Sequence, residues 1–248
     1  MKKILNWKIL LGLGLVFLSA GLYFLHFKMF HDAHHIFIYL LGDIAFVPIE
    51  VLMVTLIIHN LLEKRAKKSL MIKLNMLIGV FFSNVGMDLV KSFSSFDNSL
   101  LGLRQKLDID NNWDEKKFKD VTKYLRKYKY SMNAKKGDLL KLGVFLNSKK
   151  EFFLNLLANS NLFEHESFTD LLWAITHLTE ELTKRKDFSS LPDSDYDHLS
   201  IDIRRAYRAL INEWVNYMEH LKVYYPYLFS LAMRTNPFKE ESSVVIYS

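Results

Sequence analysis

Two long apolar runs in the first quarter of the chain constrain its fold more than any other feature. The first run, from Ile9 to Phe27, contains nineteen residues and no charge. At about 1.5 Å of rise per residue, a helix of this length nearly spans a hydrocarbon core of about 30 Å. The run therefore predicts a transmembrane helix over residues 9–27.

The second apolar run extends from Ile36 to Ile58 and is also long enough to cross a bilayer. Because the linker between the runs is short, the two helices must be antiparallel, which predicts a transmembrane hairpin over residues 1–66. A cleaved signal peptide is the alternative for the first run, with a cleavage region at Ser19 to Gly21. The run stays apolar through Phe27, however, and the apolar regions of signal peptides are usually shorter.

Basic residues predict the orientation of this hairpin through the positive-inside rule. The linker carries only Lys28, whereas the open end is flanked by Lys2, Lys3, Lys8, Lys64, Arg65, Lys67 and Lys68. This asymmetry predicts that both termini are cytoplasmic and that the histidine-rich linker, residues 31–35, lies on the far side of the membrane.

Two carboxylates and a proline interrupt the second run near its middle. Asp43 and Glu50 are seven residues apart and share one helix face, and Pro48 between them removes a backbone hydrogen bond. An ionised carboxylate at this depth costs several kcal/mol, so a second copy, water or protonation must stabilise the pair. We expect a homo-oligomer, with either a water-lined cation path along these acids or protonated acids bonding across helices.

Small residues on the first run predict where helices pack closely. The three glycines of this run are Gly12, Gly14 and Gly21. Short side chains let helix backbones approach each other, so these positions are candidates for contacts between membrane helices.

Residues 67–94 form a third, amphipathic segment. Its apolar residues recur at helical spacing, at Leu70, Leu74, Leu77, Phe81, Val85 and Leu89. A third membrane span would place the following domain outside, against the charge pattern. We therefore predict an interfacial or core helix that connects the hairpin to the rest of the chain.

Residues 95–238 predict a cytoplasmic helical domain, and residues 239–248 a flexible tail. The whole chain contains only nine glycines and four prolines, and strand alternation is scarce. Capping patterns and periodicity predict about five helices. The first is a basic helix that starts at the Asn112–Glu115 capping box and runs to Tyr130. The second covers Asp138–Leu146, and the third covers Phe152–Ala158 after a Ser148–Glu151 capping box. The fourth is capped by Ser167, and the fifth covers Tyr196–Tyr225.

The predicted domain is electrically bipolar. Residues 116–150 hold twelve basic and two acidic residues, whereas residues 151–202 hold three basic and eleven acidic residues. The basic helix contributes Lys116, Lys117, Lys123, Arg126 and Lys127. This face is solvated or paired with the acidic half, or it binds anionic membrane lipid; nucleic acid is the least favoured partner.

The sequence predicts no catalytic residue, metal site or cofactor. Cysteine is absent, which excludes disulfides, thiolate metal sites and cysteine nucleophiles. No phosphate-binding glycine loop, nucleophile elbow or zincin motif occurs. Asp170, His177 and Glu181 share a helix face, but a ferritin-like site needs Glu-x-x-His on two helices, and this chain has the reverse order once. We predict that these residues and the linker histidines are solvated.

Three stretches resemble a family of uncharacterised bacterial and archaeal membrane proteins. They are residues 35–65 (HIFIYLLGDIAFVPIEVLMVTLIIHNLLEKR), 164–182 (EHESFTDLLWAITHLTEEL) and 225–238 (YPYLFSLAMRTNPF). The resemblance implies an all-α protein with two membrane helices in the cytoplasmic membrane of a prokaryote, and it implies no activity.

The function predicted from these features is that of an integral membrane protein. Its hairpin anchors a cytoplasmic helical domain that binds a cytosolic protein partner or senses the membrane surface. The alternative is an oligomeric cation channel lined by Asp43 and Glu50. An enzyme is not expected.

Overall fold

The computed structural model describes residues 2–239 and 242–245 and is helical throughout, with no strand longer than a single bridge between Asp97 and Met132 among these residues. The all-α prediction is thus confirmed. The helices are α1 (Lys2–Phe30), α2 (Ala33–Phe81), α3 (Met87–Ser94), α4 (Leu100–Lys106), α5 (Glu115–Lys127), α6 (Leu139–Ser148), α7 (Lys150–Leu157), α8 (Glu166–Lys184), α9 (Asp193–Tyr224) and α10 (Pro226–Arg234). A π-helical turn, Phe82–Gly86, precedes α3, and a 3-10 turn, Ser160–Glu164, precedes α8.

The chain divides into two compact units, Met1–Lys67 and Lys68–Ser248. In the first unit, α1 and α2 are separated by a tight turn at His31 and Asp32. His31 has a positive φ of 51°, and Asp32 accepts a hydrogen bond from the backbone N–H of His35 at 3.0 Å. The turn brings the rings of His26 and His35 into a parallel stack, with centroids 6.2 Å apart.

Two helical stretches, Ile9–Phe30 and Ala33–Ser94, are long and apolar enough to cross a membrane, judged by length and composition. The most apolar part of each contains no buried residue. Phe17, for example, is 75% exposed and Leu41 is 70% exposed. The apolar side chains of these most apolar parts therefore do not form the core of the folded protein.

The second apolar run and the amphipathic segment were predicted to form separate helices, but one continuous helix contains the whole run and the first part of the segment. Helix α2 continues for 49 residues through Pro48 and into the segment predicted to be a connecting helix. The break comes later, at the π-helical turn, where Asn84 donates its side-chain N–H to the carbonyl of Val80 at 2.8 Å. The apolar face of the amphipathic segment is buried in the second unit, with Phe81 and Leu89 fully enclosed.

The core of the second unit is built around α9, a helix of 32 residues. It packs against α3, α5, α8 and α10, while α6 and α7 pack on α8. Trp214 and Tyr207 of α9 are fully buried. The periodicity predicted for the helix after residue 196 is thus confirmed, although the helix begins at Asp193, and Pro226 starts α10 after it ends.

Three predicted helix caps are wrong, because a neighbouring residue takes the capping position in each case. Asp114, in extended backbone conformation, caps α5 instead of Asn112, and α5 ends at Lys127. His165 caps α8 instead of Ser167. Ser148 ends α6, so no Ser148–Glu151 box starts α7. The separate helix predicted over Asp138–Leu146 is confirmed as α6, which Asp138 caps and which ends at Ser148.

The segment predicted to be a flexible tail lies partly outside the described residues, which omit 240, 241 and 246–248. In the described part, Lys239 makes an ion pair with Asp108 at 3.4 Å. The backbone N–H of Ser243 donates to the carbonyl of Arg234 at 3.2 Å.

Candidate functional site

A broad groove of about 1350 Å³ lies between α5, α8 and α9 in the second unit. We call it the basic groove, because five of its lining side chains are cationic: Arg126, Lys129, Arg204, Arg205 and Arg208. Only two acidic residues, Asp170 and Glu213, line it. Trp173 adds an apolar indole to the wall and is 56% exposed.

Helical periodicity explains why α9 presents arginines to this groove. Arg204 and Arg205 are adjacent, and Arg208 follows three residues after Arg205, so the three lie within about 100° of the helix circumference. The other side carries Ile203 and Leu210, which are fully buried. Burial of the apolar face therefore fixes the direction in which the guanidinium groups project.

The floor of the basic groove contains a buried carboxyl group, Glu213. Its side chain is 2% exposed, and burial raises its pKa above the ordinary glutamate value. Hydrogen bonds with Ser167 and Asn216 oppose this shift. Burial also raises the pKa of the Tyr130 hydroxyl at the other wall, so that tyrosine stays protonated at neutral pH. The two acidic residues of the groove are thus outnumbered by five exposed cations.

Helix α5 carries a second basic feature, a stripe of exposed residues opposite its buried face. The stripe consists of Lys116, Lys119, Lys123, Arg126 and Lys127, which cluster within about 100° of the helix circumference at 100° per residue. Lys117 lies apart from it, with its ammonium 5.1 Å from the ring centroid of Trp113. In this stripe Lys119 pairs with Glu115 of its own helix.

The ion pairing proposed between the basic and acidic halves of the domain does not involve the α5 stripe. Across the part of the chain that the structure describes, the ion pair joining residues 116–150 to residues 151–202 is Lys135 with Asp193, at 2.6 Å. The α5 stripe makes no such pair among the same residues. Apart from Lys119, its cations therefore remain available to solvent or to a partner.

Two histidines and two carboxylates meet where α8 and α9 lie side by side. Oδ2 of Asp202 lies 3.3 Å from Nε2 of His177 and 3.3 Å from Nε2 of His198. The carboxylate of Glu181 approaches the same two nitrogens at 4.0 and 3.9 Å. We call these four residues the two-histidine cluster.

Arg185 fixes one side of the two-histidine cluster. Its guanidinium donates to Oε2 of Glu181 at 2.6 Å and to both oxygens of Asp195, at 2.8 and 2.6 Å. The hydrogen bond from Arg185 lowers the pKa of the Glu181 carboxyl, and burial only partly opposes that effect. Glu181 is therefore ionised at neutral pH and is held in position.

The two-histidine cluster combines residues of two helices that the sequence analysis did not connect. His177 and Glu181 were predicted to be solvated on one helix face with Asp170, but both approach residues of α9. His177 also lines the basic groove, as Asp170 does. Each helix supplies a pair four residues apart, His177 with Glu181 and His198 with Asp202. This i, i+4 repetition is present in the sequence, but it differs from the Glu-x-x-His pattern of ferritin-like sites.

The residues predicted to function in the membrane are all exposed in the single chain. Asp43, Pro48 and Glu50 lie in α2, as do the exposed cations Lys64, Arg65, Lys67 and Lys68. A Cβ built at Gly12, Gly14 or Gly21 meets no atom within 4 Å. The packing and oligomer contacts expected of these residues therefore stay predictions.

Comparisons with known proteins cover almost the whole chain. Residues 2–62 match the family described as MJ1433, N-terminal helical domain, and residues 70–234 match that of Uncharacterized protein MJ1433, C-terminal helical domain. The Uncharacterized protein MJ1433 of Methanocaldococcus jannaschii is 44% identical over 240 residues, covering 97% of this chain and 96% of that protein. No solved structure matches. The chain belongs to the MJ1433 family of helical proteins, in agreement with the resemblance to an uncharacterised family.

Proposed function

We propose that this chain is an integral membrane protein that anchors a cytoplasmic helical interaction domain, whose basic groove binds an acidic segment of a cytosolic protein partner. The observation that carries the anchoring is the exposure of apolar side chains along α1 and the first part of α2. The observation that carries the binding is the set of five cations around one groove.

The energetics of the apolar helices support insertion into a bilayer. Leucine, isoleucine, phenylalanine and valine each favour insertion by about 0.3 to 0.6 kcal/mol at the centre of a membrane helix. The exposed stretch of α1 contains many of them, including Leu10, Leu15, Val16, Phe17, Leu18 and Phe24. Left in water, so large an apolar surface would drive aggregation. A bilayer removes this surface from water and leaves the helices otherwise unchanged.

The cytoplasmic placement rests on the basic residues that follow the second apolar run. Lys64, Arg65, Lys67 and Lys68 are exposed on α2. Under the positive-inside rule, cations next to a membrane span stay in the cytoplasm. The domain that follows them in the chain is then cytoplasmic as well.

The shape of the basic groove favours a protein segment over a bilayer surface. Its residues extend along α9 from Ile201 to Asn216, a length of about 22 Å at 1.5 Å per residue. An extended peptide of about seven residues has this length at 3.3 Å per residue. A flat anionic bilayer cannot enter a groove between helices, whereas guanidinium groups there bind carboxylates in bidentate geometry. The convex α5 stripe suits a bilayer surface better.

The groove is tested with the full chain in detergent micelles and a fluorescein-labelled hexaglutamate peptide as the probe. Fluorescence polarisation is expected to show binding that weakens as salt rises, because the contacts are ionic. Arg208→Gln should weaken binding at least fivefold, since one desolvated charge contact contributes about 1 kcal/mol or more. Lys186→Gln, an exposed cation outside the groove, is the matched control and should leave binding unchanged.

Three results would contradict this assignment of the groove. The first is the absence of hexaglutamate binding at low salt. The second is equal weakening by Arg208→Gln and Lys186→Gln, which would indicate a general charge effect. The third is tighter binding of a labelled single-stranded oligothymidylate, which would assign the groove to nucleic acid.

A cation path is the second candidate function, and the exposure of Asp43 and Glu50 on one face of α2 favours it. Oligomerised helices would place these carboxylates in rings, which select cations. The purified protein in planar bilayers tests this alternative. Cation-selective currents that Glu50→Gln abolishes would establish conduction, and silent bilayers would exclude it.

A further inference from the structure

We propose that His177, His198 and Asp202 bind a divalent transition-metal ion of the zinc type. The three donor atoms, two imidazole Nε2 and one carboxylate oxygen, lie within 4.8 Å of one another. Two imidazoles and a carboxylate suit zinc, cobalt, nickel or ferrous iron, whereas magnesium and calcium prefer oxygen donors alone.

The spacing of the donors matches a zinc coordination sphere. Zinc binds imidazole nitrogen and carboxylate oxygen at about 2.0–2.2 Å in tetrahedral geometry, which places neighbouring ligand atoms about 3.3–3.5 Å apart. Both histidine nitrogens lie 3.3 Å from the same oxygen of Asp202. The two histidine donors lie within 4.8 Å of each other, so rotamer shifts that bring them closer would place all three donors within bonding distance of one ion.

Asp202 is the residue that points most clearly to a bound cation. Its side chain is 2% exposed, and its Oδ1 accepts a hydrogen bond from Arg205 at 2.9 Å. Its Oδ2 faces the two imidazoles and has no hydrogen-bond donor of acceptable geometry. A buried carboxylate oxygen without a donor is costly, and a cation between it and the imidazoles removes this cost.

Direct ion pairs between Asp202 and protonated histidines are the competing explanation. A charged imidazole would align an N–H with Oδ2 to form a short hydrogen bond. Here both nitrogens stand at 3.3 Å without hydrogen-bond alignment. The imidazoles therefore leave Oδ2 without a hydrogen bond, and a cation shared by the three donor atoms would satisfy it.

Glu181 faces the fourth position of the proposed site. Its carboxylate lies about 0.6 to 0.7 Å farther from the histidine nitrogens than Asp202 does, and Arg185 occupies one of its oxygens. Three protein ligands with an open fourth position are typical of zinc sites that keep a water or an exogenous ligand. We assign Glu181 to orienting that water, not to direct coordination.

The test uses the full-length protein in detergent micelles, purified without a polyhistidine tag and titrated with cobalt(II) chloride. Tetrahedral cobalt(II) absorbs strongly in the visible range, whereas octahedral cobalt(II) absorbs weakly, so the spectrum reports this geometry directly. We expect strong absorption that one equivalent of zinc chloride abolishes. His198→Gln and Asp202→Asn should each weaken cobalt binding by at least about tenfold, and Glu181→Gln should do so less.

The histidines of the α1–α2 turn require a control, because they also offer imidazoles. His34→Gln changes an exposed residue of that turn and should retain the full absorption. Weak absorption in the wild type, full absorption in His198→Gln, or its loss in His34→Gln would overturn the proposal. His198 is half exposed, so this variant is expected to fold, which circular dichroism verifies independently of the buried Asp202.

Discussion

Arg185, which follows α8, binds Asp195 in the first turn of α9 through two nearly parallel hydrogen bonds of 2.8 and 2.6 Å. The contact closes the loop between the two helices that carry the two-histidine cluster. Arg185 is 17% and Asp195 25% exposed, so the pair is partly shielded from water. A bidentate pair of this kind fixes both distance and orientation. We therefore assign Arg185 to holding α8 and α9 in register.

Arg185→Gln is expected to lower the free energy of unfolding by about 1–2 kcal/mol, since hydrogen bonds to charged groups contribute about this much and partial exposure reduces them. Denaturant unfolding of the full chain in micelles, followed by tryptophan fluorescence, measures the loss. Lys119→Gln removes an exposed pair with Glu115 and serves as the control, with no measurable change. Equal effects of the two variants would show that the Arg185 contact contributes no more to the free energy of unfolding than an exposed ion pair does.

The same contact predicts how stability depends on pH. The hydrogen bond from Arg185 lowers the pKa of Asp195 and of Glu181 in the folded protein. The unfolded values are about 3.9 and 4.3. Because the folded values lie lower, the stabilisation is present above about pH 4 and disappears as the pH falls through the folded values.

We therefore expect the stability difference between wild type and Arg185→Gln to be constant from about pH 5 to 8 and to shrink below about pH 4. Unfolding measured in a buffer series from pH 7 to pH 3 checks this. A difference that stays constant down to pH 3 would show that the two carboxylates are not the groups that Arg185 stabilises.

The turn between α2 and α3 gives a prediction about packing. A Cβ at Gly86 would lie 2.5 Å from Cδ1 of Phe82 and 2.9 Å from Cε1 of Phe81. Both rings are buried, so neither can move without cost. We expect Gly86→Ala to destabilise the protein by about 1–3 kcal/mol, the usual range for overpacking.

Gly79→Ala is the matched control, seven residues earlier in the same helical region. A Cβ there meets Cε2 of Tyr217 at 3.6 Å, an ordinary contact. Because alanine favours helix over glycine, this variant should be neutral or more stable by up to about 1 kcal/mol. Thermal unfolding by circular dichroism compares the two, and a tolerated Gly86→Ala would mean that the phenylalanine rings are mobile.

The helical periodicity predicted many of the helices, because apolar residues at helical spacing lie on one face of a helix and are buried together. On α8, the apolar residues that recur at helical spacing are all buried: Phe168, Leu171, Leu172, Ile175, Leu178 and Leu182. The caps were less predictable, because several residues near each helix start can accept a backbone hydrogen bond. Asp114 competes with Asn112, and the backbone conformation of the loop decides between them.

The two-histidine cluster was not predicted because its chemistry depends on two helices. His177 and Asp202 are separated by 25 positions in the sequence, and only the packing of α8 on α9 brings them to 3.3 Å. Sequence periodicity places each residue on a face of its own helix but does not give the register between helices. The basic groove depends in the same way on α5 lying beside α9.

The proposed topology is tested by labelling single cysteines in intact cells, which is feasible because the chain has no native cysteine. Ala33→Cys lies at the start of α2, next to the turn between the apolar helices, and Ser190→Cys lies in the exposed loop between α8 and α9. A membrane-impermeant maleimide should label position 33 and spare position 190 until the cells are lysed. Labelling of position 190 alone in intact cells would place the helical domain outside the membrane.

Self-association of the membrane helices follows from the energetic cost of Asp43 and Glu50. Both carboxyls lie on one face of α2 and are exposed in the single chain, and neither charged nor protonated acids are stable when they face lipid. Val47 lies between them on that face, whereas Ala45 projects elsewhere. We expect Val47→Cys to form strong disulfide-linked dimers in mild detergent and Ala45→Cys to form weak ones. Monomeric protein by light scattering, with no crosslinking at position 47, would contradict an oligomer that shields these acids.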